Sequence, residues 1–497
     1  MFRAIRPVMA MVLVLVVFSA EAQESETDLL RKQLKDATER LDRLLREQRE
    51  TMEQLNRRIE SLEKEKRAPA SSATNDPLAA ALAADAQNKS SAERGSNAPA
   101  PPGNSWSPAS PIRVAGAGQN YLNLSFDALF AAGTTTARDI ERLQPGAHDP
   151  NQRGFTVQNL EPTFEGKIDP YFRGLATIST QLTPAGETTI EAEEAYAETM
   201  GLPWNLQLRA GMFFTEFGRI NPTHAHTWDF VDSPLISTRM FGADGLRNPG
   251  IRLAWLAPTP FYSELFLTIQ KAEGATAYGF DDDLEGEPLF GRILTERGVH
   301  SGGDFLFTPR YAASFNLSES QTILAGASAA FGPNSSGTES DTQVYGIDLF
   351  YKWKPIDHHA GFPFVSWQSE AMFRRFDAGA SASVDLDGDG TPDFVPREKL
   401  QDYGFYSQVA YGFRKGWVAA VRGDYVTSEI AEYERLFGRD PDRARRWRVS
   451  PNLTWYPTEF SKLRVQYNLD NRAGIGVDHS IWMQFEFLLG THAAHKF

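Results

Sequence analysis

From Ile112 onward the chain is written in segments of about ten residues whose polarity alternates residue by residue, each closed by turn-forming residues. A period of two puts successive side chains on opposite faces of an extended strand. Leu206, Leu208, Ala210, Met212 and Phe214 share one face, with Gln207, Arg209 and Gly211 on the other. Ile251, Leu253 and Trp255 oppose Arg252, and Ile481, Met483, Phe485, Phe487 and Leu489 form one apolar row. Many amphipathic strands with no continuous apolar stretch predict an all-β transmembrane barrel, with apolar side chains facing lipid and polar ones facing the lumen. The pattern explains how a chain can be 12% aromatic and still negative in mean hydropathy.

About sixteen antiparallel strands are expected, leaving fourteen and eighteen open. They begin near Tyr121, Phe155, Tyr171, Thr188, Trp204, Ile251, Phe261, Phe307, Gln321, Asp341, Pro363, Asp402, Trp417, Ala444, Glu459 and His479. Short links (Asp169-Pro170, Gly201 to Pro203, Pro258 to Pro260, Ser318-Glu319, Arg414 to Gly416, Pro457-Thr458) alternate with long ones near 132–153, 215–248, 272–306, 379–401 and 427–443. Turns at one rim and loops at the other suit a membrane barrel, whereas a soluble sandwich has no reason to keep that alternation. Trp204, Trp255, Tyr262, Trp353, Trp417, Trp455 and Tyr456 lie beside the short turns, where an interfacial girdle belongs.

The N-terminal part is of another kind. Arg3 and Arg6 precede the apolar run Val8 to Phe18, and Ala20-Glu21-Ala22 supplies a small-x-small cleavage pattern. Residues 1–22 therefore read as a secretory signal peptide. Residues 23–67 read as an α-helical coiled-coil stalk: with Leu45, Met52 and Ile59 at a, Leu34, Leu41, Leu55 and Leu62 fall at d, and Gln48 is a polar d residue. The coil implies a homo-oligomer, dimer or trimer. Residues 68–111, rich in Ala, Ser, Asn, Pro and Gly, read as a disordered linker, and 112–497 as the barrel.

A net charge of −14 argues against nucleic acid as a partner. Absence of Cys removes disulfides, thiolate zinc sites and Cys nucleophiles. No GxSxG, HExxH or phosphate-loop motif is present, so no enzyme is expected.

Stalk, linker and barrel together resemble the general and phosphate-selective porins, in which the third extracellular loop folds into the lumen and sets the constriction. The loop in that place here is 215–248. The segment 160–270, with IEAEEAYAETM, LRAGMFFTEFGRINPTHAHTWDFVDSPL and WLAPTPFYSEL, resembles a proteobacterial family labelled zinc-regulated outer-membrane receptors. That label's TonB dependence does not fit, because a coil and a linker stand where a plug domain would. The final Phe497, in phase with the apolar row at 481–489, resembles the signal read by the barrel-assembly machinery.

Two places carry candidate chemistry. In the constriction loop, His224 and His226 with Asp229 and Asp232 suit Zn²⁺ or a similar ion. The same residues alternatively hydrogen-bond the loop in place, or form a polar constriction with Arg219, Arg239 and Arg247 opposite the Asp residues. Asp385, Asp387, Asp389 and Asp393 surround Gly390 in the spacing of a Ca²⁺ loop, although Pro396 stands where a bidentate Glu belongs. Glu191, Glu193 and Glu194 have no matching Lys or Arg ladder, which counts against phosphate selectivity.

The sequence thus leads to a porin-like channel in the outer membrane of a Gram-negative bacterium, passing small hydrophilic solutes or ions by diffusion, with its stalk in the periplasm. It requires no cofactor; structural Ca²⁺ and bound Zn²⁺ are the two ions it admits. The alternatives are a divalent-metal (zinc)-related uptake channel and a structural tether with no open pore.

Overall fold

A computed structural model describes residues 111–490, apart from 118–119, 184–185, 282–287 and 296, together with Lys35, which is helical. The predicted signal peptide, the rest of the coiled coil, the linker up to residue 110, and Phe497 lie outside the described residues.

The strands in order are β1 (Ile112–Ala117), β2 (Asn120–Thr135), β3 (Gly154–Lys167), β4 (Phe172–Leu182), β5 (Thr188–Thr199), β6 (Leu206–Phe214), β7 (Arg247–Leu256) and β8 (Tyr262–Lys271). There follow β9 (Pro288–Leu289), β10 (Arg292–Ile293), β11 (Phe305–Ser318), β12 (Gln321–Pro333), β13 (Asp341–Trp353), β14 (Phe364–Ala378), β15 (Ser381–Val384) and β16 (Asp393–Val395). The last are β17 (Glu398–Arg414), β18 (Trp417–Ser428), β19 (Arg446–Thr458), β20 (Ser461–Arg472) and β21 (Gly476–Leu489).

Seventeen of these form one antiparallel sheet. It closes on itself where β2 pairs with β21, from Phe126↔Leu489 to Thr135↔Ser480, while its other edge pairs with β3. The short β1 continues the seam, pairing Ile112↔Leu124 beyond the end of β21, so the ring itself has 16 strands. The pairs β9–β10 and β15–β16 are small hairpins within loops. Closure gives every strand of the ring a partner on both sides, the condition for a β-structure in hydrocarbon.

Each of the sixteen expected starts lies within four residues of an observed one, the largest offsets being Ile251 against Arg247 and Asp402 against Glu398. The two rims also match, although the long-loop rim holds three short connections, at 183–187, 334–340 and 473–475. On β21 the alternation is complete: Met483 is 54% exposed, while Trp482 and Glu486 inside the ring are 0% exposed. Ile251, Leu253 and Trp255 likewise face out and Arg252 faces in. Two expected girdle residues are misplaced, because strand phase, not nearness to a turn, decides the face: Tyr456 packs against the cluster of Phe362, Ala410 and Val418, and Tyr262 bonds Glu264 on the lumen side of β8.

The lumen is not uniformly polar. On the side of β11–β18, Leu306, Ala330, Val344, Met372, Tyr406 and Val426 point inward. Against them pack Phe217, Ile236, Met240 and Phe241 of the β6–β7 loop and Phe280 of the β8–β11 loop. These inward apolar residues are buried by loops that enter the barrel, so they need no lipid.

Met483→Arg, at the middle of the outward row of β21, should cost about 2–4 kcal/mol of folding into lipid vesicles. The reading is urea titration of the heat-modifiable folded band; an equal cost for the polar change Met483→Gln would contradict a lipid-facing position.

Candidate functional site

The loop of residues 215–246 crosses the lumen and is held by side chains from much of the wall. At its start, the backbone N–H of Ile220 donates to Glu370 Oε1 of β14 at 2.8 Å. Midway, the Asp229 carbonyl accepts from Asn452 of β19, and Val231 N–H donates to Gln466 of β20 at 2.9 Å. Pro234 then starts a helix, Leu235–Phe241, whose first N–H donates to Asp424 of β18 at 3.1 Å. Gly242 ends it with φ 75, and a Cβ there would lie 2.7 Å from Tyr278 Cβ, so only glycine lets the loop turn back.

Asp232 is the strongest anchor. Its carboxylate accepts from Arg422 at 2.6 Å, Arg448 at 2.9 Å, Gln466 at 3.0 Å and Asn468 at 2.7 Å, on β18, β19 and β20. Gln144 of the β2–β3 loop adds a fifth donor at 3.2 Å. All three charged groups are shut away from solvent, where charges persist only if paired and hydrogen-bonded. The two arginine partners hold Asp232 at about 2 against the upward push of burial. The expected opposition of Asp229 and Asp232 to Arg219, Arg239 and Arg247 is therefore not what forms. Arg219 donates to Gln368 and stacks on Phe350, Arg239 donates to the Ala444 carbonyl, and Arg247 pairs with Glu191. The loop's charges each find a partner on the nearest wall instead of facing one another across a gap.

His224 and His226 face the adjoining wall, beyond the β21–β2 seam. His224 Nδ1 is 3.1 Å from both Glu161 Oε1 and Glu193 Oε2, and its Nε2 is 2.9 Å from Glu194 Oε2. His226 Nδ1 is 3.7 Å from Asp127 Oδ1, and the two imidazole rings stack with centroids 5.8 Å apart. The carboxylates beside the histidines thus come from β2, β3 and β5, whereas Asp229 and Asp232, the expected partners, serve as loop anchors. Burial lowers His226 to about 4, leaving it neutral. Burial opposes charge on His224 too, but Glu161 and Glu193 overcome it and raise its pKa well above the ordinary value.

A register irregularity makes this possible. Thr177 of β4 pairs with Glu194 and Ile178 with Ala192, so Glu193 is an extra residue in β5. A bulge breaks the period of two, and Glu193 and Glu194, although adjacent in sequence, are both buried inside the ring. Glu161 and Asp127 were absent from the expected set because each is one polar residue on a regular strand, with nothing local to distinguish it.

At the long-loop rim lies a cavity of about 420 Å³, lined among others by Arg142, Arg239, Asp244, Tyr278 and Arg445. Beneath it a pocket of about 30 Å³ is bounded by His148, Glu193, Thr223 and Trp228, and Gly242, Ala243 and Asp244 line both. The larger space, a vestibule, and the smaller one, the size of a few waters, share the Gly242–Asp244 turn, and the smaller reaches His148 and Glu193.

The calcium-type loop lies apart, in the 379–397 connection. Asp385, Asp387 and Asp393 bring ligand atoms within 4.8 Å of one another. Asp389 is not in that group; its Oδ1 accepts from Thr391 N–H at 2.8 Å. Asp385 caps Gly388 and Gly390, and Asp393 caps Leu386, so these carboxylates order their own turn.

Asp232→Ala should destabilise the folded barrel by about 1–3 kcal/mol, because Arg422 and Arg448 lose a shared buried acceptor while each keeps its own wall carboxylate, Asp424 and Asp470. Urea unfolding of the full chain in micelles measures this, and a cost below about 1 kcal/mol would place the loop elsewhere.

No family model matches the chain. An uncharacterized protein of Aquifex aeolicus is 29% identical over 365 residues, 70% of this chain and 71% of that one. Among solved structures, the outer-membrane channel DcaP of Acinetobacter baumannii is similar with a TM-score of 0.48 and 13% identity, over 74% of this chain and 97% of that one. An anion-selective porin from Comamonas acidovorans has a TM-score of 0.46 and 7% identity, over 74% and 100%. OprB of Pseudomonas putida has a TM-score of 0.44 and 9% identity, over 75% and 94%.

Proposed function

We propose that this chain is an outer-membrane channel of porin architecture, long loops outside and short turns in the periplasm, that passes small hydrophilic solutes or ions by diffusion. The carrying observation is the loop 215–246, folded through a closed ring and pinned to its wall by the buried charges around Asp232. The vestibule above it accepts a small solute, and the pocket below favours ions over larger molecules. Motion would be down a gradient, past fixed lumen charges, with no chemical step.

A second reading, a divalent-metal-related channel, is favoured by the cluster of carboxylates and imidazoles whose Glu193 lines that pocket. We further assign the stalk to self-association in the periplasm as a dimer or trimer, Phe497 to recognition by the barrel-assembly machinery, and the 379–397 loop to structural Ca²⁺.

Purified full-length protein in a planar bilayer should give small, stable conductance steps, and loosening the loop by Asp232→Ala should enlarge them. A correctly folded barrel that stays silent in both forms would overturn the channel reading and leave the tether. For the surface loop, Ca²⁺ should slow its proteolytic nicking, and Asp385→Asn with Asp387→Asn should remove that protection. Equal nicking with Ca²⁺ and with chelator would contradict the Ca²⁺ assignment.

A further inference from the structure

We infer that β2, β3, β5 and the folded-in loop build a centre for two divalent transition-metal ions, with the Glu161 carboxylate shared between them. It deepens the metal reading above but does not depend on an open pore. Two ligand sets meet at one place: Asp127, Glu161 and His226 form the first, and Glu161, Glu193 and His224 the second. Within each set, one ligand atom from every residue lies within 4.8 Å of the others. Glu161 belongs to both, and a carboxylate has two oxygens to divide between two ions.

The donor chemistry selects the ion. One imidazole and two carboxylates per ion suit Zn²⁺ and its neighbours in the first transition row better than Ca²⁺ or Mg²⁺, which prefer oxygen alone. Three protein ligands leave a coordination position for water or exchange, unlike the closed four-ligand sets of purely structural zinc.

Two observations argue for cations rather than a self-sufficient ion-pair network. First, Asp127 Oδ2 is buried and has no hydrogen-bond partner among the described residues, a cost that coordination would remove. Second, the balance of charge is wrong for a network. Asp127, Glu161, Glu193 and Glu194 are four buried carboxylates; the nearest lysine, Lys462, is already ion-paired with Glu486. Supports behind the ligands are in place: Asn159 donates to Glu161 Oε2 at 2.7 Å and is itself held by Ser179 at 2.9 Å, and His148 Nε2 lies 3.4 Å from Glu193 Oε1. Such outer contacts orient ligating carboxylates. The small pocket under the vestibule ends on Glu193, giving an ion a way in.

The test is metal stoichiometry on full-length protein in micelles, carrying Asp385→Asn and Asp387→Asn so that the surface loop contributes nothing. After chelation and dialysis against Zn²⁺, two ions per folded chain are expected by plasma mass spectrometry. His226→Asn should lower the count by one, and Glu161→Gln should abolish tight binding of both. Folding of each variant is checked by heat-modifiable migration. Should Glu161→Gln fail to fold, the parent protein loaded with Mn²⁺ decides the matter: two ions sharing a carboxylate give an exchange-coupled electron paramagnetic resonance signal. No ion, one ion, two ions indifferent to Glu161→Gln, or an uncoupled Mn²⁺ signal would each overturn the centre. Stoichiometry is read without conductance, so a silent barrel that binds two ions defeats the channel and keeps the centre, and a conducting barrel without ions does the reverse.

Discussion

A single carboxylate decides where the largest internal segment of this barrel goes. Asp232 draws two buried arginines, a glutamine and an asparagine from three adjacent strands onto one loop residue. In the wall Arg422 and Arg448 are each also paired with an acid, Asp424 and Asp470, and Asp232 bridges the two pairs. Joined to Asp232 they make the loop part of the wall. Farther round the same wall the loop is fixed by a different force, the burial of Phe217, Ile236, Met240 and Phe241 against inward apolar residues of β11–β18. Burying a side chain of that size is worth roughly 1.5–3 kcal/mol, so together they offset part of the entropy of ordering the segment. Charge holds one part of the loop and apolar packing another.

The histidine cluster follows from that docking. His224 and His226 reach Asp127, Glu161 and Glu193 only because the Asp229–Asp232 stretch immediately after them is tied down on β17–β20. Loop position, vestibule shape and ligand geometry are thus one property. A solute path and a metal centre in this molecule would share their most sensitive residues, and an ion bound at Glu161 would sit at the narrow end of the space it entered by.

The ring was legible from sequence because lipid on one side and lumen on the other impose a strict period of two, and turns must interrupt it. That is why strand starts as different as Thr188 and Trp417 were placed without offset. That the loop after β6 is a long one was legible from the spacing of the strands. Its partners were not, since a charge on a regular strand carries no mark of what it will meet. Asp127 and Glu161 look like any lumen residue, and Glu193 with Glu194 violates the very alternation by which strands are recognised. The inward apolar patch was hidden for a similar reason: Leu306 and Met372 read as lipid-facing until a loop is known to cover them. A pairing between loop and wall is a property of closure, and closure is not local.

Hydrogen–deuterium exchange on the folded full-length protein in micelles tests the docked loop most directly. The N–H groups of Ile220, Val231, Ser233 and Leu235 donate to side chains of the barrel interior. Peptides covering 219–241 should therefore exchange as slowly as those of the flanking strands, and Asp232→Ala should speed them selectively. Exchange of that segment as fast as the exposed 379–397 loop, in a barrel whose strands stay protected, would contradict the account.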